Sequence, residues 1–162
     1  MKIKNFILIL ILFIAFLSHN VHADVFMASV VINEGEKSDD SWSCERAMSI
    51  VGNNLSYTKE CYGSQRGKGD VSKTCTFSDS QITEIQKLLK SKNLLISDSL
   101  SEESAKNKNF RRYVHIGVVI NMDGNTFKIN VNGDVKALQH KPLYINCYDL
   151  INLIQEYTDK CN

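Results

Sequence analysis

All five cysteines of the chain, Cys44, Cys61, Cys75, Cys147 and Cys161, follow an N-terminal segment built like an export signal. Lys2 and Lys4 precede an uninterrupted apolar run from Phe6 to Leu17, and Val21-His22-Ala23 ends on a small residue before Asp24. That order of charge, apolar stretch and small residue predicts cleavage after Ala23. The alternative is an uncleaved anchor, but the 12 apolar residues make a helix of roughly 18 Å, short of the roughly 30 Å hydrocarbon core. No cysteine stands near the cleavage site to carry a lipid. The expected destination is outside the cytosol, periplasmic or secreted, where thiols oxidise and disulfides become part of the fold.

Residues 1–23 are thus expected to be a signal peptide and residues 24–162 a single domain. Removal leaves 139 residues (162 minus 23), enough for one real core. The remaining 17 basic and 18 acidic residues give a formal charge of −1. Such a balance offers no electrostatic footprint for nucleic acid, and no integral membrane segment remains. Five cysteines in a chain of this length supplement a core rather than replace it, and an odd number leaves at least one unpaired within the molecule.

Val25 to Asn33 is a valine-rich apolar run that suits a buried strand, followed by a wholly polar connector over 34–41. Ser43 to Tyr62 is expected to fold back about Gly52-Asn53, so that opposed residue numbers sum to 105. Ile50 then faces Leu55, Met48 faces Tyr57 and Cys44 faces Cys61. In this register the two cysteines form a non-hydrogen-bonded pair, whose Cα atoms lie roughly 4.5 Å apart, within disulfide reach. A Cys44–Cys61 bridge is therefore expected. A turn at Asn53-Asn54 would instead take Cys61 out of line.

Gly63 to Asp70 is glycine-rich but lacks the spacing, the hydroxyl residue and the following helix of a phosphate loop. It reads as a surface loop carrying Arg66, Lys68 and Asp70. Ser78, with Gln81 three residues on and Phe77 before it, marks a capped helix whose stripe is Ile82, Ile85, Leu88 and Leu89, with Asn93 as its stop. Ser97 to Asn109 has little to bury except Leu100 and Ala105, which predicts a long mobile loop. Lys106 and Lys108 lie in it and Arg111 just beyond. These two polar segments hold the candidate contact residues for a partner.

Asp123-Gly124 is a strong type I′ turn signal between alternating strands, and the register sums to 247. Val114, Ile116, Val118 and Ile120 then share a face with Phe127, Ile129 and Val131. A further short strand is expected over Val135 to Leu138, and a last helix from about Asn146 to Tyr157 with Cys147, Leu150, Ile151 and Ile154 on its apolar side. Helical spacing keeps Cys147 and Cys161 roughly 21 Å apart, which excludes their bonding. Cys75 is expected to take one of them. Cys75–Cys147 is the favoured pairing, ahead of a free, buried Cys147.

No catalytic spacing is present: only His115 and His140 remain after the signal, without a metalloprotease, paired C-x-x-C or nucleophile-elbow motif. Neither cofactor nor metal is expected, and His115 falls on the water face of its strand. The element order implies an α+β domain, an antiparallel β-sheet built from two hairpins with two helices packed on one face. That strand and helix order, the capped Phe77–Leu89 helix and the Met122-Asp123-Gly124-Asn125 hairpin resemble emfourin-type small bacterial inhibitors of secreted metalloproteinases. The resemblance implies an inhibitor-like binding protein whose partner is another protein. The cysteines have no counterpart in that family pattern, and no inhibitory motif carries over residue by residue. Two other readings stay open: a small exported enzyme using a free thiol or a carboxylate pair, and an envelope component joined through the odd cysteine.

Overall fold

The computed structural model describes residues 25–37, 41–67, 69–104 and 111–161. The expected signal peptide lies outside them. The fold is α+β, a single sheet of seven strands in the order β4-β3-β2-β1-β6-β7-β5. The strands are β1 (Met27–Glu36), β2 (Trp42–Val51), β3 (Asn54–Gly63), β4 (Val71–Thr76), β5 (Ser99–Glu103), β6 (Arg112–Met122) and β7 (Asn125–Asp134). The helices are α1 (Asp79–Ser91), the single turn α2 (Val135–Leu138) and α3 (Pro142–Lys160).

Both hairpins take the registers that the turn residues dictate. In the first, Ile50 pairs with Leu55 and Cys44 with Cys61. Gly52 alone of the two turn residues has positive φ, 59°, which suits a II′ turn with glycine at its first central position. In the second, Val118 pairs with Ile129 and Ile120 with Phe127. Asp123 and Gly124 are both left-handed, at 52° and 73°, as a I′ turn requires.

α1 is closed at both ends by its own sequence. Ser78 accepts from the Gln81 N–H while the Gln81 side chain accepts from the Ser78 N–H, completing a capping box. At the other end Asn93 adopts φ 56°, Asn93 N–H donates to Lys90 O and Leu94 N–H donates to Leu89 O. These are the two bonds of a Schellman motif, and Leu94 is fully buried beside them.

Three expectations are corrected. The sheet is mixed and wider than two hairpins, because Ser99–Glu103 forms β5, paired parallel to β7, where a mobile loop was expected. Its pattern carries only Leu100 as an apolar signal, and the open edge of β7 supplies the pairing from afar. β4 adds a further strand whose pattern is faint, since of Val71-Ser72-Lys73-Thr74-Cys75-Thr76 only Cys75 is buried. Val135–Leu138 is a helical turn, not a strand: Asp134 caps it by accepting from the Lys136 N–H at 2.7 Å. Finally, α3 begins at Pro142, four residues early. Proline suits the first turn of a helix, where its missing N–H has no partner to lose.

One face of the sheet is covered. Ala28, Val30, Ile32, Met48, Ile50, Leu55, Val114, Ile116, Val118, Ile120, Ile129 and Val131 are buried there, against Ile82, Ile85 and Leu89 of α1 and Leu150, Ile151 and Ile154 of α3. The intervening residues of every strand point the other way, onto a face that no described element covers. Phe77 meets Tyr157 edge-on at 5.7 Å, and Tyr157 donates to Glu84 at 2.5 Å, tying α3 to α1. Tyr157→Phe is expected to cost about 1–2 kcal/mol, measured by urea unfolding, because a carboxylate-bound hydroxyl is lost from a buried ring.

Candidate contact surface at the loop end of the sheet

β1 runs toward the end of the sheet where β2, β4 and β6 begin and β3, β5 and β7 finish. The described ends of the three connectors, Lys37 and Ser41, Ser64 to Gly67 with Gly69 and Asp70, and Ser104 and Arg111, therefore emerge at one end. The order β3-β2-β1-β6 places them side by side, over a width of about 14 Å at ordinary strand spacing.

Hydrogen bonds join these connectors to one another. Ser64 N–H donates to Ser41 O at 3.2 Å, linking the β3–β4 loop to the β1–β2 connector. Lys37 N–H donates to Arg111 O at 2.8 Å, linking the same connector to the entry of β6. Gly63 makes the first junction possible: its φ is 71°, and a Cβ there would run into the Ser41 carbonyl. Beneath the junction the Cys44–Cys61 disulfide locks β2 to β3, with Cα atoms 4.1 Å apart. Asp70 folds its carboxylate back to accept from Cys61 N–H at 3.0 Å, which anchors the far end of the β3–β4 loop.

Of the candidate contact residues, Arg66, Asp70 and Arg111 are exposed at this end. Arg111 Nε is 2.5 Å from Glu36 Oε1. With its side chain 78% exposed, that pair contributes little to stability. Lys68, Lys106 and Lys108 lie outside the described residues. The sequence placed these residues in loops but could not bring the loops together, because β4, which carries the chain away from this end, and β5, which returns it, have weak patterns.

The cysteine arrangement corrects the remaining pairing. Cys75 bonds Cys161, not Cys147. Cys161 follows the last turn of α3, and the helix crosses the sheet so that this terminus reaches β4. Cys147 lies fourteen residues before Cys161 (161 − 147), on the buried side of the helix, and is fully buried as a free thiol. Removal from water pushes it up to about 12. A thiol in that state offers no thiolate near neutral pH, so neither covalent linkage nor nucleophilic catalysis finds an accessible group there. Native protein is expected not to react with a thiol reagent such as dithionitrobenzoate at neutral pH, and to yield one equivalent on unfolding.

The thiol also sets a pH dependence. Its stabilising contribution is complete below the ordinary value of 9.0 and is lost as pH rises toward about 12, because ionisation is easier in the unfolded chain. Tyr157, pushed up to about 12 by burial and then by Glu84, acts in the same direction. The urea midpoint is expected to fall steeply above pH 9, and less steeply in Cys147→Ala relative to its own neutral value.

A second polar group lies between α3 and the sheet. Arg46 pairs with Glu34 at 3.0 Å, both largely shielded, and Tyr144 and Tyr148 pack with ring centroids 4.6 Å apart. Burial, then the Tyr144 hydrogen bond and the nearby Glu34 charge, raise Tyr148 well above the phenol range. Burial raises Tyr57 as well. These phenols hold their protons, so the layer supplies hydrogen bonds rather than a base.

His115 is exposed, and its Nε2 lies 2.9 Å from Asn130 Oδ1. Among the described residues no cluster of His, Cys, Asp or Glu is arranged to hold a metal ion, and no helix is long and apolar enough to cross a membrane. Compared with known proteins, the chain matches no family model and no curated protein.

Proposed function

We propose that the protein is a small exported binding protein that engages another protein through the loop end of its sheet, in the manner of an inhibitor-like module. The observation that carries this reading is the pair of hydrogen bonds between described connector ends, Ser64 N–H to Ser41 O and Lys37 N–H to Arg111 O. Residues held in place before contact lose less conformational entropy on binding. Two disulfides, Cys44–Cys61 and Cys75–Cys161, suit an oxidising compartment. The resemblance to emfourin-type inhibitors of secreted metalloproteinases points the same way.

The test is affinity capture from envelope and culture fluid with wild-type protein and the Arg66→Glu/Arg111→Glu variant. Reversing two exposed charges at the contact is expected to weaken capture of the wild-type partner about tenfold or more, with stronger salt sensitivity in the wild type. Capture that is indifferent to both substitutions would remove the loop end as the contact surface.

A further inference from the structure

The face of the sheet turned away from the helices is as regular as the core face. Register aligns its residues in rows that cross the strands. One row reads Thr74, Ser56, Ser49, Ser29, Val119, Lys128, Ser99, and the next reads Ser72, Thr58, Ala47, Val31, Gly117, Asn130, Ser101. Lys128 is the only charged residue in the two. It lies one strand from the β5 edge, so its stem can cover the face while the ammonium reaches water.

Small hydroxyl and aliphatic side chains keep this surface level. Met27, Val31, Val51 and Val119 stand on it at 38–50% exposure. At the middle Gly117 leaves a hollow of about 270 Å³ flanked by Ser29, Val31, Val119 and Asn130, and a Cβ at Gly117 would touch nothing within 4 Å. The face therefore carries both projecting aliphatic groups and a recess that can receive one. A surface with both is complementary to itself, as an isologous interface requires.

The geometry points to a second copy of this chain as the occupant of the face, the two sheets packing face to face about a two-fold axis. Area supports that choice. Seven strands at about 4.8 Å spacing make the face about 29 Å wide, and the rows from Met27 to Asn33 span about 20 Å along the strands. Pairing covers on the order of 600 Å² of each copy in projection, roughly 1,200 Å² in all, the lower bound for a stable interface.

Charge selects the axis. The row nearer the loop end, Glu60, Glu45, Asn33, His115, Asn132, Glu103, holds three carboxylates, whereas the row at the opposite end, Thr76, Asn54, Val51, Met27, Asn121, Thr126, holds none. An axis in the plane of the sheet and across the strands lays each acidic row over an uncharged one. An axis along the strands would stack the carboxylates and is disfavoured. The dimer carries two loop ends, but its formation does not depend on the proposed function.

Sedimentation velocity of the full chain, purified as the expressing cell processes it, tests this across the micromolar range. A reversible dimer is expected. Val119→Lys should raise its dissociation constant at least tenfold, and Ser29→Arg, at a position where the fold buries nothing, should do the same. Ile96→Lys, at a 71% exposed position between α1 and β5, should leave the dimer intact. Circular dichroism of each variant confirms folding, and the Ser29 variant decides the matter if the Val119 variant is unfolded. A protein monomeric throughout the range would overturn the proposal, as would a dimer that survives both face substitutions. So would a monomer that captures a different polypeptide in a manner abolished by Val119→Lys, which would give the face to that partner. Because Arg66 and Arg111 lie off the face, their capture assay succeeds or fails separately.

Discussion

Removing the Cys75–Cys161 bridge, as Cys75→Ser/Cys161→Ser, is expected to lower the unfolding free energy by about 4.5 kcal/mol, the largest effect of any change at the cysteines. The bridge spans 86 residues, and the entropy it removes from the unfolded chain grows with the logarithm of that span. The same reasoning gives about 3 kcal/mol for Cys44–Cys61, which spans 17. The two bridges also differ in what they hold. Cys161 pins the last turn of α3 to the edge strand β4, so its loss should speed amide exchange at the end of α3. Loss of Cys44–Cys61 should act at the loop end. Urea unfolding of both double variants, with exchange read residue by residue, separates these effects. A smaller loss for the long bridge than for the short one would contradict the chain-entropy account.

The second large effect lies on α3. Ile151→Ala should cost about 4 kcal/mol, because the side chain is fully buried between helix and sheet and the cavity cannot collapse against a rigid pleated surface. Ile145, on the same helix and 42% exposed, should lose no more than about 0.5 kcal/mol on the same substitution. Because both positions change isoleucine to alanine in a helix, propensity cancels and the difference reads burial alone. Equal losses at both sites would mean that α3 does not pack as described.

Much of the fold was legible because local chemistry and global packing agree where the signals are strong. Gly52 and Asp123-Gly124 dictate turn types that set two registers, and those registers put Cys44 opposite Cys61. Ser78, Gln81 and Asn93 mark both ends of α1. The misread segments have in common that distant parts of the chain decide them. β5 has one apolar residue and is specified by the edge of β7. β4 alternates, but its inward side mixes Val71, Lys73 and Cys75, so the period-two pattern is faint. The Cys75 partner depends on α3 ending beside β4, which no spacing rule contains. The candidate site was legible only as separate loops. Their convergence follows from strand order, and strand order arises from non-local pairing.

Site-resolved photo-crosslinking in the producing cell tests the central reading most directly. A photoreactive residue placed at Arg66, and separately at Arg111, is expected to join the protein to one and the same polypeptide. The same probe at Lys87, exposed on α1, should yield none. Absence of a product from both loop positions, or equal labelling from Lys87, would contradict binding through the loop end of the sheet.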